Sequence, residues 1–236
     1  MRPKLEILAF EDTPLGPLCL RRRELIGRPG TWVTEVTLDH EFLMSSYLTA
    51  SERALSKLAI DGHGSSALSV LIGGLGLGYT AHEALSSERV ARLEVVEYLP
   101  QVIGWLERGL LPLSVDLNGD GRLRVVHGDV YARLAAPPVR RHDLILIDVD
   151  HSPAENLGTS NASFYTERGL ELAKRHLTEQ GILGVWSYAE HSPFAEALRE
   201  VFRCVHVEPI TVTNDLINEE QTDWLFFATD SAALRP

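Results

Sequence analysis

The sequence contains few cysteines and no long hydrophobic run. Its 236 residues include two cysteines, Cys19 and Cys204, which stand far apart and form no CxxC pair. Two cysteines cannot build a disulfide framework, so a reducing compartment is expected. No apolar run approaches the ~20 residues that span a bilayer, and the first residues lack the apolar core of a signal peptide. We therefore expect a soluble, cytoplasmic protein with no membrane partner.

Basic residues are outnumbered by acidic ones. The chain has 22 Lys and Arg against 33 Asp and Glu, a formal net charge of −11. A chain this acidic is a poor candidate for binding a phosphate backbone, so no nucleic-acid partner is expected. The negative charge is compatible with a cationic small substrate, and a general solubility charge is the alternative. The histidines show no metal-ligand spacing with cysteines or acids, so no metal site is predicted.

The composition is that of a globular protein, with 44% hydrophobic and 23% charged residues. The length allows one large domain and a small appendage. The residue periodicity changes near residue 62. Extended segments with Pro and Gly turn signals over 4–45 predict two hairpins, and the apolar spacing over 51–60 predicts a helix. The predicted domains are therefore 1–62, a β-hairpin domain with a linking helix, and 63–236.

From residue 67 onward, apolar segments alternate with helical ones. Near-continuous apolar strands separated by helices indicate a parallel sheet that is covered on both faces. No helix separates the last two strands, which predicts an antiparallel hairpin at one edge. The predicted strands are 67–72, 93–97, 123–126, 143–147, 181–186, 204–208 and 224–229. The expected fold class is α/β, with a mostly parallel, seven-stranded, Rossmann-like sheet.

A glycine-rich loop with Gly73, Gly74, Gly76 and Gly78 follows the first of these strands. Glycines let the backbone turn tightly and approach a ligand, as in nucleotide-binding loops. A purely structural turn is the alternative. No lysine follows the loop, which argues against a phosphate cradle of the GxxxxGK[ST] type.

Acids stand at the ends of the next two strands. Glu97 could accept hydrogen bonds from ribose hydroxyls, and Asp129 could accept one from an adenine amino group. Each acid alone is more often a solvated strand end. The carboxyl ends of consecutive parallel strands line one crevice, however. The loop and the two acids together favour an S-adenosyl ligand over a dinucleotide.

Asp148 and Asp150 follow the apolar strand 143–147. Two carboxylates two residues apart could attract an ammonium group and accept its proton, and an amine must be deprotonated before it attacks carbon. The alternative is a capped turn in which Asp148 accepts bonds from backbone N–H groups.

Four weaker candidates surround these acids. His151 could shuttle a proton, although a lone histidine in a loop is more often a surface residue. Trp186 and Tyr188 end the fifth strand and could form the wall of a substrate pocket, and core packing is the alternative. Tyr47 precedes the first helix and could roof the site.

Residues 67–190 resemble the spermidine synthase (polyamine aminopropyltransferase) family, a branch of the S-adenosylmethionine-dependent methyltransferase fold. The N-terminal β segment and helix resemble the small β domain of that family. The matching stretches are 73–78 (GGLGLG), 95–97 (VVE), 128–129 (GD), Asp148 with 153–157 (PAENL), 164–165 (FY) and 177–184 (LTEQGILG). The resemblance implies a class I methyltransferase-like fold and a possible homodimer through the N-terminal β domain.

The resemblance also implies a reaction in polyamine biosynthesis. An amine attacks the aminopropyl carbon next to the sulfonium of decarboxylated S-adenosylmethionine, and methylthioadenosine leaves. By this resemblance Glu97 holds the ribose and Asp129 the adenine. Asp148 orients and deprotonates the small-molecule amine, and Asp150 is a displaced substitute for a second aspartate of the family.

Three departures from the family pattern keep alternatives open, one of them being the displaced Asp150, which stands in a shorter linker than the family's. Gly76 or Leu77 stands where the family carries an aspartate for the donor's amino group. The predicted helix has Ala54, Leu55 and Ser56 in the region of a Tyr-His-Glu-like group. The alternatives are a methyltransferase that uses intact S-adenosylmethionine and a non-catalytic nucleoside-binding homologue.

Overall fold

The computed structural model describes residues 4–149, 162–190, 192–215 and 218–231, with side chains except at Ser192. Two β-sheets organise the molecule. Two predicted candidates, Asp150 and His151, and the motif at 153–157 lie outside the described residues. No helix in the described ranges is long and apolar enough to cross a membrane.

The first sheet is antiparallel and contains both predicted hairpins. Its strands, in spatial as well as chain order, are β1 (Leu5–Thr13), β2 (Gly16–Glu24), β3 (Trp32–Leu38) and β4 (Glu41–Ser45). Asp39 and His40 join β3 to β4 with φ of 49° and 68°. Two positive φ angles are what a two-residue type I′ hairpin requires, and Asp tolerates them.

The helix that follows, α1 (Ala50–Gly62), packs on the second sheet. Leu55 and Ala59 are fully buried there, and the Ser56 hydroxyl donates to the carbonyl of Thr80 at 2.7 Å. The domain boundary between residues 62 and 63 stays a prediction.

The second sheet has seven strands in the order β10-β11-β9-β8-β5-β6-β7. These are β5 (Leu68–Gly73), β6 (Val90–Glu97), β7 (Leu123–His127), β8 (His142–Ile147), β9 (Leu177–Ser187), β10 (Cys204–Asn214) and β11 (Glu219–Thr229). Strands β5 to β9 are mutually parallel, and β11 and β10 are antiparallel additions at the β9 edge. The predicted Rossmann-like sheet and its terminal hairpin are confirmed. The strand order reverses beside β5, which opens a crevice above its carboxyl end.

Helices cover both faces of this sheet. They are α2 (Tyr79–Leu85), α3 (Pro100–Glu107), α4 (Ser114–Gly119), α5 (Val130–Ala135), α6 (Glu167–Lys174) and α7 (Ser192–Val201). Successive residues of β5 alternate between the two cores: Val70 and Ile72 pack in one, and Leu71 in the other. Helices α4 and α5 were not predicted, since six residues are too few to show helical periodicity.

The terminal hairpin is longer than predicted, with eleven residues in each strand. Its tip reaches the β2–β3 connection, where the Arg28 guanidinium donates to Asp215 at 2.9 Å. Residues of the hairpin and of the first sheet both line the crevice above the second sheet.

Candidate functional site

The glycine loop runs from β5 into α2 along the floor of the crevice. Gly74, Gly76 and Gly78 have φ of +96°, +51° and +90°, a region that side chains other than glycine's rarely adopt. A Cβ added to Gly74 would lie 2.1 Å from the backbone carbonyl oxygen of Asp148. The loop thus needs glycine for its backbone angles and for its close approach to the end of β8.

Glu97 anchors this loop. Its carboxylate accepts the N–H of Leu75 and that of Leu99, each at 2.8 Å. The side chain is 7% exposed. Burial raises its pKa, and backbone N–H groups, Leu99 and Leu75 first among them, oppose that rise. Glu97 therefore shapes the backbone at the crevice, whereas its contact with a ribose stays a prediction.

Asp129 caps helix α5. One carboxylate oxygen, Oδ1, accepts the N–H of Tyr131 at 2.8 Å and that of Ala132 at 3.1 Å. Such a cap satisfies backbone donors that the first helical turn leaves unpaired. The same residue lines the crevice beside Glu97. Its adenine contact also stays a prediction.

Asp148 ends β8 at the centre of the site. The Thr80 hydroxyl of α2 donates to its Oδ2. Desolvation raises the pKa of Asp148 to about 6, the Thr80 bond opposes the rise, and the negative charge of Asp223 adds to it. A carboxylate with a pKa near 6 is ionised at neutral pH and is a stronger base than an ordinary aspartate.

Two further acids face Asp148, and sequence reasoning missed both. The Ser51 hydroxyl lies 2.6 Å from Asp223 Oδ2 and 3.1 Å from Glu52 Oε2, and it accepts the indole N–H of Trp186 at 3.1 Å. Desolvation and the charge of Asp148 raise the pKa of Glu52 to about 8.

The polar side chains that α1 brings to the acidic cavity are those of Ser51 and Glu52. Leu55 and Ser56 are fully buried instead. The sequence signal for Glu52 was its position in the first turn of the helix that follows Tyr47, the predicted roof residue. Asp223 gave no local signal, because only the pairing of β11 with β9 brings it to Trp186.

Two cavities meet at Asp148. The apolar cavity, of about 200 Å³, contains Glu97 and Asp129 among mainly apolar side chains. The acidic cavity, of about 910 Å³, contains Glu52, Asp148 and Asp223. The predicted roof residue Tyr47 and the predicted wall residues Trp186 and Tyr188 also line the acidic cavity.

The described parts of the chain contain no group of three or more His, Cys, Asp or Glu side chains with the geometry of a metal site. The crevice contains the glycine loop and the apolar cavity with Glu97 and Asp129. It also contains the carboxylate of Asp148, which faces the acidic cavity with Glu52 and Asp223.

Two curated relatives are polyamine aminopropyltransferases. Polyamine aminopropyltransferase 2 of Streptomyces coelicolor (strain ATCC BAA-471 / A3(2) / M145) is 32% identical over 118 residues, which are 49% of this chain and 21% of that protein. Polyamine aminopropyltransferase of Prochlorococcus marinus (strain MIT 9312) is 25% identical over 229 residues, 94% of this chain and 71% of that protein. The chain thus spans a minor part of the Streptomyces protein. No family model matches the chain.

Solved spermidine synthase structures share the fold. One, in complex with the transition state analogue AdoDATO, has a TM-score of 0.76 at 18% identity. The match covers 97% of this chain and 75% of the spermidine synthase chain. The enzyme from Thermotoga maritima has a TM-score of 0.74 at 17% identity, with 97% and 73% covered. The predicted fold class is confirmed, and so is the resemblance to the spermidine synthase (polyamine aminopropyltransferase) family.

Proposed function

We propose that this protein is a transferase. It moves an aminopropyl group from decarboxylated S-adenosylmethionine to an amine. The observation that carries the proposal is the position of Asp148. This residue is a carboxylate with a pKa near 6, at the junction of an apolar cavity and an acidic one.

The nucleoside half of the donor fits the apolar cavity. Leu99, Val102 and Trp105 offer apolar surface to an adenine ring, and Asp129 and Glu97 offer carboxylate oxygens to its amino group and to the ribose. Because both Asp129 bonds go to Oδ1, a ligand amino group would approach Oδ2. None of the described residues that line this cavity is basic, which suits a ligand without phosphate.

The amine binds in the acidic cavity, where the carboxylates of Asp148 and Asp223 attract its positive charge. Asp148 takes a proton from the attacking nitrogen. The nitrogen lone pair forms the new C–N bond, the C–S bond breaks, and its electron pair stays on sulfur. Methylthioadenosine leaves as a neutral thioether. The bonds formed and broken therefore balance, and the transfer requires no metal and no redox partner.

A methyltransferase that uses intact S-adenosylmethionine is the second candidate. One observation favours it: the loop has no acid at Gly76, and the thioether of Met44 lies over that glycine instead. The two donors differ by a carboxylate, so their relative affinities separate the two candidates.

The first experiment is calorimetry with decarboxylated S-adenosylmethionine, intact S-adenosylmethionine and methylthioadenosine. We expect the decarboxylated donor and methylthioadenosine to bind more tightly than the intact donor. Mass spectrometry of amine mixtures incubated with each donor then identifies the transferred group. Tighter binding of the intact donor with methyl transfer would replace the leading proposal by the second one.

The second experiment is the substitution Asp148→Asn. It should lower turnover by at least ~100-fold, as loss of a general base does, and leave methylthioadenosine binding unchanged. In the unsubstituted enzyme, turnover should fall as the pH drops through about 6, because Asp148 then becomes protonated. Asp116→Asn, at an exposed acid that lines neither cavity, is the control. Unchanged turnover in Asp148→Asn would rule out the base.

We also propose that the protein is a cytoplasmic homodimer that associates through the first sheet. Support comes from β1, an edge strand on which Ile7 and Phe10 are exposed. Sedimentation should give the dimer mass, and Phe10→Arg should shift it toward the monomer.

A further inference from the structure

We propose that Met44 is a positioning residue for the donor, whose sulfur end packs against the Met44 thioether. This inference rests on the proposed function and adds a residue from the first sheet to it. The roles given above all belong to the second sheet and its helices, so the inference also makes the first sheet part of the reacting centre.

The junction between the two cavities locates the sulfur. Asp148, Gly76 and Met44 line both cavities, as do Leu15, Leu38 and Leu43. A donor with its nucleoside in the apolar cavity must present its transferable carbon to the amine in the acidic cavity. The sulfur that joins these two parts therefore lies at the junction.

Met44 and the glycine loop are in contact at this junction. A Cβ added to Gly76 would lie 3.0 Å from Met44 Sδ and 3.2 Å from Met44 Cε. The backbone carbonyl of Asp148 lies in the same way against Gly74, two residues earlier in the loop. Met44 and the end of β8 thus both pack against one short loop.

A β-bulge aims Met44 at the junction. Val36 pairs with Met44 and Thr37 pairs with Phe42, so Leu43 is an extra residue in β4. In a regular strand, consecutive side chains point to opposite faces, and a bulge removes that alternation locally. Leu43 and Met44, at this bulge, are the residues of β4 that line both cavities.

A methionine suits the contact with a sulfonium. Its side chain is unbranched and polarisable, so it follows the shape of a ligand without offering an anionic oxygen. We infer that it restricts the position of the sulfur, and hence the line along which the amine attacks. Misplacing reacting atoms by about 1 Å can cost roughly 100-fold in rate.

The sequence allows a direct spectroscopic test, since Met1 and Met44 are its two methionines. Protein labelled with [methyl-¹³C]methionine gives two methyl resonances, and Met44→Leu identifies the one from Met44. On addition of methylthioadenosine, we expect this resonance to shift. We also expect a nuclear Overhauser effect between the Met44 methyl and the S-methyl of the ligand.

The outcomes separate this inference from the proposed function. If calorimetry shows that methylthioadenosine binds, but the Met44 methyl neither shifts nor shows the Overhauser effect, the inference is overturned and the nucleoside site stands. If methylthioadenosine does not bind at all, the proposed function and the inference both fall.

Kinetics provide the second readout. Met44→Ala should lower kcat by roughly 10–100-fold with little change in the KM of the amine, and Met44→Leu should recover most of the loss. Leu8→Ala is the matched control, because Leu8 is a half-buried apolar residue of the same sheet that is not among the cavity-lining residues. A loss in Met44→Ala no larger than in Leu8→Ala would contradict the positioning role.

Discussion

At the scale of single residues, burial in the acidic cavity raises the pKa of two neighbouring carboxyl groups. Desolvation raises the pKa of Glu52 to about 8 and that of Asp148 to about 6, and the charge of Asp148 adds to the rise for Glu52. Each group therefore holds its proton more readily when the other is ionised, and the two titrate as a pair. A bound ammonium group would favour the ionised form of both.

Because the pKa of Glu52 is raised in the folded state, the free energy of unfolding depends on pH. Its pKa rises from an ordinary value of 4.5 to about 8 on folding. The folded state then binds the proton more tightly than the unfolded state, so the associated stability is present below pH 4.5 and lost as the pH rises to about 8. Glu52→Gln should raise Tm more at pH 8 than at pH 5.

Thermal unfolding of the unsubstituted chain and of Glu52→Gln at the two pH values measures this difference. Glu107→Gln, at an exposed glutamate of α3, is the control and should change Tm equally at both. An increase in Tm for Glu52→Gln that is the same at pH 5 and pH 8 would contradict the burial of an acid with a raised pKa.

At the scale of elements, the glycine loop and the end of β8 fit together through backbone contact. Gly74→Ala would place a Cβ 2.1 Å from the Asp148 carbonyl at a residue with φ of +96°. We expect it to lower the free energy of unfolding by about 3 kcal/mol or more, as overpacking and positive-φ strain together do.

Gly104→Ala is the matched comparison, since Gly104 lies in helix α3 and an added Cβ there meets no atom within 4 Å. Alanine is favoured over glycine in a helix by about 1 kcal/mol, so this substitution should stabilise the protein. Urea unfolding of both variants checks the pair. Equal effects would mean that the loop has room to rearrange.

How well the sequence predicted a helix or strand depended on how many residues of it show a clear pattern. Strands such as β8 were recognised because four apolar residues run into Asp148, and the helix at 51–60 because its spacing is helical. Helices α4 and α5 were missed, and the terminal strands were predicted too short, because polar residues in their exposed parts hide the strand pattern. Tertiary pairing, not local preference, extends those strands.

At the scale of the whole molecule, the crevice lies between the first sheet, the second sheet and the terminal hairpin. Among the described charged residues that line its acidic cavity, acids outnumber the one arginine, and the chain carries a net charge of −11. A cationic amine is attracted by this field, whereas methylthioadenosine is uncharged. Raising the ionic strength from about 0.01 M to 0.15 M shortens the Debye length from about 30 Å to 8 Å.

We therefore expect the KM of the amine to rise several-fold over that salt range while the affinity for methylthioadenosine stays constant. Steady-state kinetics and calorimetry in matched buffers measure the two quantities. If both change in parallel, salt acts on the fold and not on the attraction between the cavity and the amine.

The sequence by itself determined the parallel sheet, the glycine loop, and the positions of Glu97, Asp129 and Asp148 at strand ends. Each depends on local patterns: an apolar run ends, and a glycine or an acid follows. Parallel strands align their carboxyl ends, so residues far apart in the chain could be assigned to one crevice from topology alone.

Only the tertiary structure decided which other groups reach that crevice. Glu52, Asp223 and Met44 come from a helix start, an edge hairpin and a bulged strand. Apart from the position of Glu52 in a first helical turn, no local pattern distinguishes them from surface or packing residues. Their positions depend on the packing of α1, the pairing of β11 and the bulge in β4. Desolvation in the assembled cavity then sets the pKa of Glu52, a property that exists only when those parts meet.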